Sequence, residues 1–567
     1  MTQSSQESKD MAELDVLIEL AGSAVYKHRV DPSDPERQEF QQRLLRYLQD
    51  LVASVSLPIR FRLEIPEEKG ANVPALKPVQ VRVGDRMCRL PVDMKAVEDG
   101  TAVGLARFIA QAVTEDRENL ISEQLVATLW PSVAMESGNA TDTLDPVRLR
   151  ECVHALIRRG QAFSRLPTLL ERSRGTSAGG ILFGSFEEAL WAPDQIGLEI
   201  ALGTKQVEAI SSAENLKVAF GSYLVVAVPD PERILAPRLN DLRRRLFDDL
   251  GIILPKVKVR IDEKLAPNEF RFRLNDLLLP PEDGLEKFEL LVEDSVDQLR
   301  LLGVNGREWL DGSTRKSIVS TEDKVRCEAV GFSTIDPTEF IVSRMERSIR
   351  HRAELFLTTY CIDNLRTSSP QLVEAACQRI GTPTLLRVLE GTLMEGLSIR
   401  DLRGICESLL AIDSVTTVDQ NKFIVFFPPV TNICAVRQEK PFEALDDLDY
   451  LSCARMSMKS YFSAEHATDG TLVVYLVDPQ LEQRIARADV DPLSEDERQR
   501  LLTAFEAEIG SLPMTVTRPT ILTTVEARHQ LWTLIEREFR RYPVLTYTEL
   551  SPELNIQPIA RISITEN

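Results

Sequence analysis

Two segments of the chain repeat one order of hydrophobic and polar positions. Each opens on Asp-Pro-Glu-Arg, at residues 34–37 and again at residues 230–233. Apolar side chains at helical spacing follow, and after them come a Leu-Pro step and an alternating run that indicates a strand. The helical stripes are Leu44, Leu48, Leu51 and Val52 in the first segment and Leu239, Leu242, Leu246 and Leu250 in the second. The pattern therefore predicts one helix–strand unit twice.

Two further pairs of segments keep the same order along the chain. The matched pairs are residues 117–129 with 352–365 and residues 151–166 with 387–402. An ordered set of matches indicates an internal duplication, in which residues 30–172 are a degenerate copy of residues 196–412; chance similarity between helices is the alternative. Residues 1–29 are predicted to be a polar N-terminal segment, and residues 173–195, which contain a Gly- and Ser-rich stretch, a linker.

The remainder of the chain alternates strand and helix signals. Residues 414–440 form an apolar, proline-containing stretch that predicts an insertion, and residues 441–567 have the pattern of a small α/β subdomain. Its predicted elements are a buried strand at 472–477, a helix from a capping box at Ser494 and Glu497 to Ile509, a short strand at Ile521, a helix over 525–540 and a strand at Val544.

Composition and charge narrow the class of protein. With 567 residues, 43% hydrophobic and 27% charged, the chain has the balance of a globular protein of several domains. The net charge of -20 disfavours a nucleic-acid partner, because phosphate binding needs a basic surface. Uncharged apolar runs are shorter than the roughly 20 residues of a spanning helix, and the N-terminus lacks the regions of a signal peptide. We therefore expect a cytoplasmic location.

Candidate catalytic and metal-binding chemistry is sparse. The five histidines never share a helical face, and the eight cysteines are scattered without CxxC spacing, so we expect reduced thiols. Carboxylate clusters fall at helix starts or in polar loops, where they favour the helix dipole. We predict no catalytic constellation, cofactor or metal site, which favours a binding or structural protein. An enzyme that uses the N-terminal half is the distant alternative.

Four stretches resemble the cytoplasmic domain of the flagellar and type III secretion export-gate family, FHIPEP. They are residues 251–274, residues 331–355, the motif EGLSIRDLR at 395–403, and the pair TLVVYLVDPQLEQRI at 471–485 with YTELSPELNIQPIARI at 547–562. The resemblance covers residues 196–567 and is closer to the virulence branch than to the flagellar one. Members of the family carry a membrane domain before this region, and we expect the predicted copy to replace it here.

The resemblance implies an α+β or α/β multidomain fold with four subdomains. The first is a split ferredoxin-like subdomain, the second a small insert within it, the third helical and the fourth α/β. Their expected ranges are residues 196–280 with 331–362, residues 281–330, residues 363–413, and residues 441–567.

The resemblance also implies a function. Subunits of the family form a ring under the membrane that receives chaperone–substrate complexes before export. We expect a non-enzymatic component of a type III secretion-like apparatus that docks export proteins and secretion chaperones with their substrates. It would form a homo-oligomeric ring or associate with a membrane-anchored gate, peripheral to the inner membrane through its partners. The alternative is a soluble paralogue that regulates export by competing for chaperones or capping the gate ring.

The family's chaperone groove lies between the first two subdomains and uses an apolar ring, an acidic residue and a hydroxyl. The usual Phe-Gly-Leu-Pro segment is missing, and residues 309–313 read Trp-Leu-Asp-Gly-Ser. The resemblance makes Trp309, Asp311, Phe332 and Ser343 the candidate docking residues, with Ser343 as the hydroxyl and Trp309 as a large apolar anchor. Equally, Trp309 could fill the core of the small insert.

Overall fold

The computed structural model describes residues 14–21, 35–64, 80–84, 86–88, 102–136, 145–173, 186–218, 230–311, 314–418, 421–426, 437–441, 445–488, 491–509, 519–536, 539 and 542–563. Contacts divide the chain into two compact units, residues 1–360 and residues 361–567. None of the helices in the described ranges is long and apolar enough to cross a membrane.

The first unit begins with a four-stranded sheet and its helices. The elements are β1 (Leu14–Ala21), α1 (Pro35–Ser54), β2 (Ile59–Glu64), β3 (Gln80–Val83), β4 (Arg86–Cys88), α2 (Ala102–Glu115), α3 (Glu123–Glu136), α4 (Pro146–Arg158) and α5 (Leu166–Ser173). The strand order is β2-β1-β3-β4. Strand β1 is parallel to β2 and antiparallel to β3, and β3 pairs with β4 as an antiparallel hairpin.

Two boundaries differ from the prediction. Strand β1 lies inside residues 1–29, and it buries Ile18 and Leu20 completely. This strand is stabilised by pairing with two strands that are distant in sequence. The polar sequence before it gave no indication of that pairing. Part of the predicted linker is also folded: α6 (Phe186–Leu190) is followed by the fully packed side chain of Trp191.

A second sheet of five strands follows, and an insert lies in the sequence between this sheet and the last helix that packs on it. The elements are β5 (Leu198–Leu202), α7 (Thr204–Val218), α8 (Pro231–Leu250), β6 (Val257–Ile261), β7 (Glu269–Leu274), β8 (Leu277–Leu278), β9 (Glu282–Asp283), β10 (Glu289–Val292), α9 (Val296–Leu301), β11 (Gly306–Asp311), β12 (Thr314–Ser320), α10 (Lys324–Ala329), β13 (Thr334–Ile335) and α11 (Pro337–Arg350). Strand β5 is parallel to β6 and antiparallel to β7 in the order β6-β5-β7-β8, and β9 also pairs with β7. The insert forms its own antiparallel sheet, β11-β12-β10-β13.

The two larger sheets and their helices stack in alternating layers. Phe270 of β7 contacts Phe340 of α11 edge to face, with ring centroids 6.2 Å apart. Arg271 points to the opposite face of β7, because successive side chains of a strand alternate. On that face its guanidinium pairs with Asp50 of α1 at 2.8 Å, and α1 contacts β2 of its own half. The order of layers is therefore the first sheet, α1 with α2, the second sheet, and α8 with α11.

Charged groups join α1 and α2 to the second sheet. Arg107 of α2 pairs with Glu269 at 2.6 Å and with Asp283. Burial disfavours its charge, but these carboxylates outweigh burial and raise the pKa of Arg107. Arg46 of α1 donates to the carbonyl oxygen of Lys264 at 2.5 Å. The N-terminal half therefore covers the polar face of the second sheet through specific ion pairs and hydrogen bonds.

The Asn275 side chain forms hydrogen bonds between the β7–β8 turn and three neighbouring segments. Its backbone lies in the left-handed region, at φ 57°. The side-chain oxygen accepts from the Gly197 backbone at 3.0 Å, and the amide nitrogen donates to the carbonyl oxygens of Arg159 and Leu355 at 2.8 and 3.1 Å. One side chain thus connects the N-terminal half, the start of β5 and the segment after α11.

The second unit contains a helical group, a small sheet and an α/β subdomain. The elements are α12 (Tyr360–Ser368), α13 (Pro370–Ile380), α14 (Thr382–Met394), α15 (Leu402–Ala411), β14 (Ile412–Val418), β15 (Asn421–Phe426), β16 (Arg437–Pro441), α16 (Asp447–Ser457), α17 (Lys459–His466), β17 (Thr471–Val477), α18 (Pro479–Ala486), α19 (Glu495–Ile509), β18 (Thr520–Thr523), α20 (Val525–Ile535), β19 (Val544–Thr546) and β20 (Asn555–Ile562). The final sheet has the order β19-β18-β17-β20 with parallel neighbours.

Most predicted elements of this second unit are present. The strands at β17, β18 and β19 are confirmed, and so is the capping box, in which the Ser494 and Glu497 backbones each donate to the other's side chain. Helix α20 ends at Ile535, before the predicted residue 540. The predicted insertion at 414–440 overlaps the antiparallel sheet β15-β14-β16. The described cysteines carry no disulfide, and burial raises the pKa of Cys361 and of Cys406 to about 12.

Candidate docking groove

Trp309 stands on the insert strand β11 and packs against the helix that follows the insert. It pairs across the hairpin with Lys316 of β12. Its half-buried ring contacts Phe340 of α11 edge to face, with centroids 5.7 Å apart and planes at 82°. Phe340 itself is 2% exposed and continues to Phe270 in the second sheet. An aromatic row therefore runs from the surface of the insert into the core of the split subdomain.

The start of α11 fixes the positions of Phe340 and Ser343. Asp336 caps the helix by accepting from the Glu339 backbone at 2.9 Å, and Pro337 occupies the first turn, where its missing N–H costs nothing. Arg238 of α8 pairs with Asp336 at 2.7 Å. Ser343 is exposed, and its hydroxyl donates to the carbonyl oxygen of Phe340 at 2.8 Å. The predicted hydroxyl thus lies one turn beyond the ring that supports Trp309.

Phe332 belongs to a different part of the insert. It packs against the cluster that contains Leu290 and Val319. Val319 is paired with Gly306 and alternates with Ile318, so it lies on the opposite face of the sheet from Trp309 and Lys316. The structure therefore brings Trp309 to the Ser343 side of α11, and places Phe332 on the other face of the sheet.

Asp311 is described through its backbone only. It ends β11 opposite Thr314 and lies two residues from Trp309 on the same strand.

Sequence reasoning missed the residues that complete this side of the insert. Phe340 supports the Trp309 ring, and Arg344 of α11 pairs with Glu282 of β9 at 2.6 Å. Lys316 pairs with Glu293 at 3.0 Å. Phe340 could have been found from its position three residues before Ser343 on the predicted helix, whereas the ion pairs depend on the distant strand β9 and on the hairpin register.

The motif EGLSIRDLR forms a buried joint within the second unit. Glu395 is 3% exposed at its side chain and pairs with Arg528 of α20 at 2.8 Å and with Arg455 of α16. Arg455, also buried, pairs in turn with Glu549 at 2.6 Å. We call these four residues the Glu395 cluster. It contains two positive and two negative side chains, so the burial of each charge is compensated by a neighbour.

Electrostatics holds the Glu395 cluster in its charged form. Burial opposes ionisation of Glu395, but Arg528 and Arg455 outweigh it and hold the pKa of this carboxyl well below its usual range. In the same motif Leu397 packs into the core that contains Leu472 and Leu545. The motif therefore connects the helical group to the α/β subdomain, and its most buried charge has a structural role.

The FHIPEP family matches residues 187–425 and 435–555, which is more than half of the chain. The chain belongs to the FHIPEP family.

Two proteins of known name are similar to this chain over more than half of its length. The Low calcium response locus protein D of Yersinia pestis is 25% identical over 353 residues, which are 59% of this chain and 46% of that protein. The Flagellar biosynthesis protein FlhA of Bacillus subtilis is 24% identical over 416 residues, which are 69% of this chain and 57% of that protein. The chain spans about half the length of the curated relatives it matches.

A solved structure has a similar fold. The CdsV protein of Chlamydia pneumoniae, solved in complex with CdsO, matches 65% of this chain and 98% of its own, with a TM-score of 0.51 and 22% identity. Both the Trp309 region and the Glu395 cluster fall within the family match, whereas most of the N-terminal half precedes it. The family assignment therefore applies to the two candidate sites and leaves the N-terminal half to be explained from its own contacts.

Proposed function

We propose that this FHIPEP chain is a non-enzymatic docking component of a type III secretion-like export apparatus. It would receive chaperone–substrate complexes or other export proteins at the cytoplasmic face. The family assignment supports the export role, because the relatives that match include a flagellar biosynthesis protein. The observation that carries the docking role is the half-exposed Trp309 ring supported edge to face by Phe340.

The insert carries a large share of the exposed apolar side chains. The described parts of the chain have thirteen large exposed apolar residues, and five of them lie in the insert: Phe288, Leu301, Leu302, Val325 and Val330. Leu301 is 82% exposed and Val325 is 75% exposed, although each lies on a helix that also contributes to the insert's core. Large exposed apolar side chains are common at protein-binding surfaces. This concentration supports the insert as the docking element.

Trp309 has the features of an interface anchor. Its ring is large and rigid, and Phe340 restricts its orientation, so little side-chain freedom remains to be lost on binding. The Lys316–Glu293 and Arg344–Glu282 pairs lie beside it and supply polar contacts. A partner with an apolar side chain bordered by charges of both signs would fit this surface.

The test is a binding titration of the full chain with secretion chaperones encoded beside it, alone and loaded with substrate. Trp309→Ala should weaken binding by about tenfold or more, as truncation of an aromatic anchor does. Trp309→Phe should restore part of the affinity. Tyr547→Ala, which removes another exposed aromatic ring, in the second unit, is the matched control and should bind like the parent chain. Equal binding by Trp309→Ala, or no chaperone binding at all, would refute the proposal.

We also infer that residues 30–172 are a degenerate copy of the first to third subdomains, and the support below concerns the first, the split ferredoxin-like subdomain. The support is threefold. The two sheets have the same strand order with the same parallel and antiparallel neighbours. Helices α1 and α8 have 20 residues each and begin with Pro-Glu-Arg. The hairpins β3–β4 and β7–β8 both have a left-handed residue after the first strand, Gly84 and Asn275.

A further inference from the structure

The insert is joined to the second sheet through a short neck, which one ion pair closes. The chain enters the insert after β9 and leaves it through β13, from which it continues into α11. Glu282 of β9 comes before the insert and Arg344 of α11 comes after it, and the two side chains pair at 2.6 Å. This pair therefore connects the two ends of the insert. We call β9 together with Arg344 the insert neck.

The N-terminal half holds the insert neck from the opposite face of the sheet. Strand β9 is antiparallel to β7, with Glu282 opposite Phe270 and Asp283 opposite Glu269. Strand alternation directs Glu282 towards α11 and Asp283 towards α2. The Arg107 guanidinium of α2 donates to both carboxylate oxygens of Asp283, with 2.9 Å from Nη2 to Oδ1, and to Glu269 at 2.6 Å. Strand β9 is thus held between an arginine of the N-terminal half and an arginine of α11.

Close packing fixes the chain where it passes from β9 into the insert. A Cβ atom at Gly284 would lie 2.1 Å from Oε1 of Gln206 in α7, so a larger residue here would displace a completely buried amide. The same amide donates to the carbonyl oxygen of Leu285 at 2.9 Å, and the Gly284 backbone donates to that of Asn268 at 2.9 Å. A displacement of β9 would therefore also displace the start of the insert.

The insert neck is connected to Trp309 by two routes. Arg344 follows Phe340 by one helical turn, so the two lie on the same side of α11, and Phe340 supports the Trp309 ring. The second route runs through the insert: Glu289 at the start of β10 pairs at 3.0 Å with Arg307, which lies two residues before Trp309 on β11. A movement of β9 would therefore alter the surroundings of Trp309 from both ends of the insert.

We propose that Arg107 is a positioning residue for the docking surface around Trp309, and that through it the N-terminal half sets the orientation of the insert and its affinity for partners. Arg107 acts through β9, which it holds from the face opposite α11. The proposal rests on the proposed function, and it gives a regulatory role to a helix that precedes the family match. A partner that moved α2 would change docking from the far side of the second sheet.

Fluorine NMR of the full chain, labelled with fluorotryptophan, tests the proposal without any partner. Trp309→Phe identifies the Trp309 resonance. Asp283→Ala removes the contact between β9 and Arg107 at a half-exposed carboxylate and leaves Glu269 paired, and it should shift or split that resonance. Arg107→Gln should shift it in the same direction. The double variant should shift it no further than Arg107→Gln alone, because both substitutions break the same contact. Asp283→Glu, which keeps the carboxylate, should restore the resonance of the parent chain.

Asp297→Ala is the matched control for Asp283→Ala. Asp297 is an exposed carboxylate of the insert that pairs with Arg300 in its own helix, so its removal should leave the Trp309 resonance unchanged. The Trp532 resonance, from the second unit, is the internal reference. An unchanged Trp309 resonance in Asp283→Ala, an equal change in Asp297→Ala, or additive shifts in the double variant would overturn the proposal.

Chaperone titrations of the same variants separate this proposal from the proposed function. Asp283→Ala should weaken binding about fivefold, which is the size of a modest coupling between distant sites, and Asp297→Ala should bind like the parent chain. If no chaperone binds the parent chain, the proposed function fails, and the fluorine spectra still decide whether Arg107 positions the insert. Equal or tighter binding by Asp283→Ala would refute the positioning role. Circular dichroism of each variant verifies that it is folded.

Discussion

Glu395 is a carboxylate whose charge depends on two arginines that are distant in sequence. Arg455 and Arg528 come from α16 and α20, and Glu549 completes the cluster. Removal of one member leaves a buried charge without its partner, which costs more than the pair contributes when it is intact. The cluster thereby makes the connection between the helical group and the α/β subdomain sensitive to a single side chain.

Glu395→Gln should destabilise the second unit by about 3 kcal/mol at neutral pH, because Arg455 and Arg528 lose a buried partner. The pKa of Glu395 is depressed below the ordinary 4.5, so its stabilising effect is complete above that pH and is lost as the pH falls. The difference between variant and parent should therefore shrink in acid. Hydrogen exchange of β19 as a function of pH measures it.

Glu407→Gln provides the control for this prediction. Glu407 pairs with Arg403 on the exposed side of the same motif, so its replacement should leave β19 exchange unchanged. An effect of Glu395→Gln that equalled that of Glu407→Gln would contradict a structural role of the cluster.

The sequence identified the motif but not its use. The amino-acid sequence of EGLSIRDLR is sufficient to predict family membership. The burial of Glu395, in contrast, depends on two arginines that follow it by 60 and 133 positions. The sequence also left two roles open for Trp309, as a docking residue or as part of the core of the insert. In the structure its half-buried ring packs on Phe340 and remains partly exposed. Phe332 could not be placed from sequence because its position depends on the register of the insert's sheet.

Helix α2 shows how an element is positioned by charge as well as by apolar packing. Ile109 and Val113 are buried on α2, and Arg107 extends to β7 and β9 of the second sheet. Elements with strong local signals, such as the capping box at Ser494 and the strand β17, were predicted from sequence. Strand β1 was missed because its pairing partners are remote, and the interface of α2 was missed because no local pattern records a contact 162 positions away.

Arg107→Ala should destabilise the first unit by about 3 kcal/mol, because the buried Glu269 loses its nearest positive charge and keeps Arg43, at 3.8 Å, and the Ala266 backbone N–H. The faster opening should appear in hydrogen exchange of β7. Arg148→Ala, at an exposed pair, should change stability by less than about 0.5 kcal/mol. If both substitutions had the same small effect, the contact between α2 and the second sheet would be incidental.

At the scale of the whole molecule, the N-terminal half is part of the first unit's core. Residues 1–360 form one compact unit, although the family match begins at residue 187. Asp276 of the β7–β8 turn pairs with Arg165 at 2.6 Å, and the carbonyl oxygen of Gly160 accepts from the Asp276 and Leu277 backbones. These contacts make the family portion of the first unit dependent on residues outside the match.

Removal of residues 1–185 should therefore loosen the first unit and leave the second intact. Without α1 and α2, the outer face of β7 is solvated, Arg271 loses Asp50, and the Asn275 side chain loses the carbonyl oxygen of Arg159. Hydrogen exchange of β7 should accelerate about tenfold or more, since local stability follows the contacts that cover a strand. Strand β17 serves as the internal reference, because its pairs with β18 and β20 lie within the second unit. Addition of residues 1–185 as a separate chain should restore slow exchange if the interface alone is responsible. Unchanged exchange of β7 in the shortened chain would instead mean that the N-terminal half merely rests on a subdomain that is stable without it.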